Sequence, residues 1–414
     1  MKKVEKIYGF RCLGATERVS NDTFVTGQNN HDMIVGPSGS GKTGGYVVPN
    51  LQDPFESLLV IDTKSSLCRK FGRPLAEKGF KVHILDFVNP EKSTCGYDPL
   101  SYIRVDKDGD VSQKDIMSLS TLMVPQMDEK DPYWSQSARK YISMLIAYVM
   151  EILPEKDRNM RAVVDIHKEC CCGNMKKIFE ETSIDCPDTM FSGMYKMVEP
   201  LRESDRTWAC VTDFASVALA PFDVKEMDEI FVKKEAFDFK QLGEEKSVLF
   251  INISDIDRTY DTVLNVIYSQ GLNSLIDLAD ENEDGRLNVP VRFIMDDFTS
   301  GAPIENFDNI ISVIRSRDIS VSLIIQSLSQ LNSRYGRDEA KTILNNCDHI
   351  LYLGSNDIDT LRYMSSRLNV AEHIVERLPK EKAYLFSSGK GAKMIDKMPP
   401  YSTYNDDKSV ENSI

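Results

Sequence analysis

Eight consecutive residues, Gly36-Pro37-Ser38-Gly39-Ser40-Gly41-Lys42-Thr43, hold the spacing G-x-x-x-x-G-K-S/T. The chemistry this spacing serves is phosphate binding. Glycines let successive backbone N–H groups turn toward an anion with no Cβ in the way. A helix starting at the end of the loop adds its unpaired N–H groups and the positive end of its dipole. In such a loop Lys42 reaches the β- and γ-phosphates, and the Thr43 hydroxyl ligates Mg²⁺. The flanks agree, because His31 to Val35 reads as a strand end and Thr43 to Val48 as a helix start. Pro49 cannot donate to the carbonyl of Gly45, so this helix is expected to be short or kinked there.

Downstream, Arg292-Phe-Ile-Met runs into two acids, Asp296 and Asp297. An apolar strand ending in an acid beside a phosphate loop is where NTPases place the carboxylate of the Mg²⁺ shell. Asp296 would then hold the metal's water, and Asp297 would face the attacking water. Gln326 stands at the tip of another apolar run, Val321 to Ile325. A glutamine there can donate to the γ-phosphate or orient a water, or it can simply cap the next helix. Arg315 and Arg317, in IRSRD, precede that run and can act in catalysis or solvate a face. Asp62-Thr63-Lys64 closes a further apolar run and can line the same cleft or stand in water.

The elements that must position these residues are legible as apolar runs. Ser57 to Asp62 suits a strand buried on both faces of a parallel sheet. Phe71 to Lys78 looks helical and Lys81 to Asp86 looks like the next strand, the βαβ rhythm of a doubly wound sheet. The rhythm breaks from about Val111 to Asp238, where apolar residues recur at helical spacing, as at Tyr141, Met144, Leu145 and Tyr148. Strands resume at Lys246–Asn252, Val291–Met295, Val321–Ile325 and His349–Leu353, with Ala383–Phe386 as an edge strand. The expected organisation is an N-terminal segment 1–30, a nucleotide-binding domain from 31–110 and 239–400, an all-α insertion 111–238, and a polar tail 401–414.

Composition narrows the partners. The 414 residues carry 41% apolar side chains, ample for a core, and a net charge of −14. A chain this acidic repels phosphate on average, so DNA contact requires a local patch or an assembled pore. The nine cysteines show no repeated pair spacing and fit reduced thiols. His167, Cys170 and Cys172 lack a second pair at zinc-ligand spacing, which disfavours a metal there. The start MKKVEKIYGF has no apolar signal-peptide core. The most apolar helical run, Tyr141 to Met150, is too short to span a bilayer. A cytoplasmic protein is expected.

The motifs GPSGSGKT…VVPNL, LLVIDTKSSL, DPYWSQSARKYI, VRFIMDDF, ISVIRSRDISVSLIIQSLSQL and NNCDHILYLGSND stand in the order found in the VirD4/TraG family. These are the coupling proteins of type IV secretion, and the Gram-positive conjugative-element branch is the one this chain most resembles. The resemblance runs from about Asn30 to Tyr401. It implies an α/β fold with a RecA-like P-loop NTPase core, a mostly parallel sheet and an all-α domain. It implies ATP and Mg²⁺ as cofactors, and ATP-driven transfer of relaxase-bound single-stranded DNA to a secretion channel by hexameric rings. Carried over by position, the loop falls on Gly36 to Thr43, the magnesium aspartate on Asp296 and the phosphate-sensing glutamine on Gln326. The arginine finger falls on Arg315, with Arg317 as its neighbour.

Two departures from the family stand out. Typical members begin with transmembrane helices and this sequence shows none, so attachment to the cytoplasmic face of the membrane is expected through an anchoring partner. The family reads Asp-Glu where this chain reads Asp296-Asp297, which leaves hydrolysis expected to be slow. Two other functions fit the same residues: a nucleotide-gated receptor that docks substrate with little turnover, and a DNA pump of the FtsK/HerA type.

Overall fold

The computed structural model describes residues 8–124, 132–254, 256–300 and 303–400. The expected polar tail, 401–414, lies outside the described residues. The strands are Phe10–Cys12 (β1), Arg18–Ser20 (β2), Asp32–Val35 (β3), Ser57–Asp62 (β4), Lys81–Asp86 (β5), Ser247–Asn252 (β6), Val291–Met295 (β7), Ile319–Ile325 (β8), His349–Tyr352 (β9), Lys382–Ser387 (β10) and Gly391–Asp396 (β11). β1 and β2 form a small antiparallel hairpin. The other nine make one sheet in the order β11-β10-β9-β3-β8-β7-β4-β6-β5. From β9 to β6 every neighbouring pair is parallel.

Every residue of β3, β4, β6, β7, β8 and β9 is buried. This is why these strands read as continuous apolar runs rather than as alternation. β10 is no edge: β11 pairs with it antiparallel from Lys382↔Asp396 to Ser387↔Gly391. Of β11 only Ile395 is buried, so its sequence carries almost no strand signal.

The helix after the phosphate loop is short, as Pro49 requires. Thr43–Val47 form a π turn in which the Val48 N–H donates to the Thr43 carbonyl, and one α turn, Val48–Gln52, follows. The wide turn accommodates a residue with no N–H to give.

A buried ionic lattice crosses the sheet beneath that helix. Arg11 donates through Nε to Asp32 at 2.8 Å, and through a terminal nitrogen to His349 Nδ1 at 2.9 Å. The Tyr46 hydroxyl donates to the same Asp32 at 2.7 Å, and Arg292 pairs with Glu56. Burial depresses the His349 pKa to about 4 despite the neighbouring Asp32, so His349 is a neutral acceptor for Arg11. Arg11, Asp32 and Arg292 are each at most 2% exposed. Charges at this depth persist only when paired, and removing one partner costs about 3–5 kcal/mol.

The chain divides into two compact units: Met1–Ile84 with Phe239–Asp255 and Leu275–Ile414, and Leu85–Asp238 with Ile256–Ser274. The second unit thus begins 26 positions before the expected 111 and takes in a later segment. Residues 87–110 hold two short 3-10 turns, Pro90–Lys92 and Pro99–Tyr102, and isolated bridges at Gly96 and Val105, and so show no periodicity from which to place them. Its centre is the helix Tyr133–Ile152, with Phe179 and Phe191 ringed about Tyr148 at 4.9 and 5.0 Å between centroids. Among the described residues no helix is long and apolar enough to cross a membrane.

One carboxyl in this unit makes its stability pH-dependent. Burial pushes Asp98 up to about 7, against backbone donors that include the Leu100 N–H at 3.0 Å. An unfolded aspartate titrates near 4. The stabilisation from this group is therefore complete below about pH 4 and is lost as pH rises toward 7. Asp98→Asn, whose amide oxygen can keep the Leu100 bond, is expected to flatten thermal stability between those values. An unchanged slope in the variant would place the pH dependence elsewhere.

Candidate nucleotide-binding site

Parallel register brings the sequence-distant candidates to one end of the sheet. Val35 lies opposite Ile325, and Met295 opposite Leu323, so Gly36, Asp296 and Gln326 all emerge from carboxyl ends. The Gly36 N–H donates to the Ile325 carbonyl at 3.2 Å. Gly36 has no room for a side chain, because a Cβ there would lie 2.4 Å from Ser40 Oγ and 3.0 Å from Leu353 Cβ. Gly41 takes φ of 94°, a backbone state that other residues rarely adopt.

Lys42 is 9% exposed and its Nζ donates to the carbonyls of Gly36 at 2.7 Å and Pro37 at 3.1 Å. Burial lowers its pKa, and Asp297 and Asp296 counteract that. The Thr43 hydroxyl donates to Asp296 Oδ2 at 2.7 Å. A hydroxyl and a carboxylate this close are hard oxygen donors of the kind Mg²⁺ takes alongside phosphates and water. Burial raises the Asp296 pKa, the Thr43 bond lowers it, and the Asp297 charge raises it again. A cation between these groups relieves that strain, so the residues present fit the ion. Among the described residues no group of three His, Cys, Asp or Glu side chains could hold a metal by itself. The His167 ring bonds Tyr141 at 3.0 Å and Ser216 at 2.8 Å instead.

Gln326 Nε2 lies 3.4 Å from Asp297 Oδ1, so the two residues expected to handle water face each other. Asp297 has φ of 52°, a left-handed conformation that aspartate tolerates better than longer side chains. Its loop is braced from the helix Leu328–Tyr335, where Gln330 contacts Thr299 at 3.1 Å and Tyr335 stacks on Phe298 at 5.3 Å. Sequence reasoning missed both braces, since on the helix they show only as ordinary polar and aromatic positions.

The two arginines separate. Arg317 makes a two-point pair with Asp280 at 2.8 and 2.9 Å, while the Arg315 side chain has no hydrogen bond or ion pair among the described residues. Arg315 precedes β8 and Gln326 follows it, so about 20 Å of strand lies between them. Asp62 does not face the cleft. Its carboxylate accepts from the N–H groups of Lys64, Ser66, Leu67 and Cys68 at 2.7 to 3.3 Å, starting the helix Ser66–Glu77.

A parallel sheet with this loop, acid and glutamine at its carboxyl edge defines a P-loop NTPase with a RecA-like core. The model of the family described as type IV secretory system conjugative DNA transfer matches residues 3–371, and the chain belongs to that family. It is 21% identical over 394 residues to the conjugal transfer protein TraG of Rhizobium radiobacter, covering 90% of this chain and 57% of that protein. It is likewise 21% identical over 279 residues to the type IV secretion system-coupling protein VirD4 of Bartonella henselae, covering 62% of this chain and 39% of VirD4. This chain therefore spans little more than half of the length of its TraG relative. In structure it resembles the conjugative coupling protein TrwB lacking its first 70 residues, with a TM-score of 0.67, 16% identity and coverage of 91% and 87%. TrwB in complex with ADP and Mg²⁺ matches with a TM-score of 0.64.

Proposed function

We propose that this chain is the ATP-driven motor of a conjugative coupling protein, recruiting relaxase-bound single-stranded DNA to a type IV secretion channel. The contact that carries the reading is Thr43 Oγ1 to Asp296 Oδ2 at 2.7 Å, backed by Gln326 facing Asp297. Gly36 to Thr43 wrap the phosphates, and Thr43 and Asp296 hold Mg²⁺, which neutralises charge on the transferring phosphoryl group. Asp297 takes the proton of the attacking water and Gln326 orients that water. Arg315 supplies positive charge to the site of an adjacent copy in a hexameric ring. The sheet-bearing unit, Met1–Ile84 with Phe239–Asp255 and Leu275–Ile414, carries the chemistry, and the helical unit, Leu85–Asp238 with Ile256–Ser274, faces cargo. The net charge of −14 disfavours direct attachment to anionic lipid, so membrane association runs through anchoring and channel partners.

ATP hydrolysis measured with and without single-stranded DNA tests this. Stimulation by DNA is expected. A protein that binds nucleotide but shows no turnover with or without DNA is instead a nucleotide-gated docking receptor.

The geometry of Asp297 also sets what its variants do. Asp297→Glu extends the acid by one methylene into Gln326 from a left-handed backbone that longer side chains resist. It is expected to lower turnover by about tenfold to a hundredfold with nucleotide affinity held, because misplacement by about 1 Å has that effect. A rise in kcat in this variant would show that the shorter acid is itself the handicap.

A further inference from the structure

The turn and helix that follow β4 carry a charge pattern unlike the rest of the chain. Between Thr63 and Lys81 stand six cations, Lys64, Arg69, Lys70, Arg73, Lys78 and Lys81, against one acid, Glu77, in a chain of net charge −14. Two of the six are neutralised by acids outside the stretch: Lys78 pairs with Asp53 and Lys81 with Glu245, each at 2.6 Å. The helix Ser66–Glu77 buries Leu67, Phe71 and Leu75 in the core beside Val60 and Phe250. Arg69, Lys70 and Arg73 stand on its exposed side, where residues three and four apart are neighbours.

Helix stability does not call for cations there. The helix dipole favours acids in the first turn and bases in the last. This helix has no acid in its first turn and no base in its last. Its leading N–H groups already go to the Asp62 carboxylate, so a further anion has to be held by side chains. Arg69 donates through Nε to the Ser65 carbonyl at 2.7 Å, which uses one of the five guanidinium donors. Arg73 pairs with Glu77 at 2.8 Å, but the two are 89% and 64% exposed, and a pair this exposed is weak.

No large apolar side chain is exposed between Ser66 and Glu77. Protein interfaces are built on an apolar or aromatic centre, and helices that lie on lipid insert an apolar face. A row of cations with neither fits phosphate. From Arg69 to Arg73 the helix rises about 6 Å, which matches about two or three phosphates of one strand.

We propose that the exposed face of the helix Ser66–Glu77, through Arg69, Lys70 and Arg73, docks the sugar–phosphate backbone of a nucleic acid strand without reading its bases. The inference rests on the reading of this chain as one that recruits DNA, and it names the surface. The stripe offers no aromatic side chain for bases to stack on, so sequence is expected to matter little.

Fluorescence anisotropy of the full chain with a labelled single strand, titrated at rising salt, tests the face. The triple variant Arg69→Gln, Lys70→Gln, Arg73→Gln is expected to bind at least about tenfold more weakly at low salt. Its slope of log affinity against log salt should be shallower by about 2, because each phosphate contact contributes about 0.7 on a single strand. Strands of different sequence should lose affinity alike, and the variant should keep the wild-type thermal midpoint and affinity for a fluorescent ATP analogue. Glu77→Gln, which removes the acid beside Arg73, should tighten strand binding by about twofold to threefold, a gain that a folding defect cannot mimic. Unchanged affinity and slope in the triple variant, or no gain in Glu77→Gln, overturns the stripe and leaves DNA recruitment to another surface. A wild-type chain that binds no strand but sediments with phosphatidylserine vesicles through these residues makes the face a lipid contact and overturns the proposal. A wild-type chain that binds neither overturns the stripe and, with it, direct recruitment of DNA by this chain.

Discussion

Arg315→Ala is expected to lower steady-state ATP turnover by about a thousandfold with nucleotide affinity nearly unchanged, the scale at which arginine fingers act. Two observations lead there. Arg317 is committed to Asp280, which leaves Arg315 as the side chain of the pair with charge to offer. The length of β8 separates it from the phosphate loop of its own chain, so it can serve only the loop of another copy. Specific activity should accordingly rise with protein concentration. Arg315→Lys should restore little, because an ammonium lacks the planar fork of a guanidinium. Mixing Arg315→Ala with Lys42→Ala chains should recover part of the activity by pairing one intact arginine with one intact loop. A mixture as inactive as either parent would count against a shared site.

Lys42→Ala is the second large effect. A truncated charged hydrogen bond is worth about 1.5–3 kcal/mol, so a fluorescent ATP analogue should bind roughly 10- to 100-fold more weakly. The fold should not suffer. Among the described residues Lys42 Nζ bonds only carbonyls of its own loop, and burial already opposes its charge. Thermal unfolding at or above the wild-type midpoint, together with lost binding, is the expected pair of results. Retained binding would mean that the loop is not the phosphate site.

The site was legible in sequence wherever a local signal coincided with a strand end. Gly36 to Thr43 is a contiguous motif, and Asp296 and Gln326 terminate runs whose every residue is buried. The doubly wound sheet was legible for the same reason. What could not be read depends on pairing across the chain. Arg11 meets a residue 338 positions away, and no window around Arg11 or His349 announces the other. β11 exposes all but one of its side chains, so neither alternation nor an apolar run marks it. The left-handed backbone of Asp297 and the partnering of Arg317 are likewise products of tertiary placement.

The lattice centred on Asp32 bears on where this protein can be cut. The loop motif begins at Gly36, and a nucleotide-binding module defined by motif would start near residue 31. Such a fragment would discard Arg11 and the hairpin that carries it. Asp32, two residues into the fragment, would remain in the interior with Arg292 3.6 Å away as its remaining cation, and His349 would lose its donor. Arg11 and the hairpin that carries it thus complete the sheet's interior. The smallest autonomous unit has to keep them, and a reporter or purification handle belongs upstream of the hairpin rather than in its place.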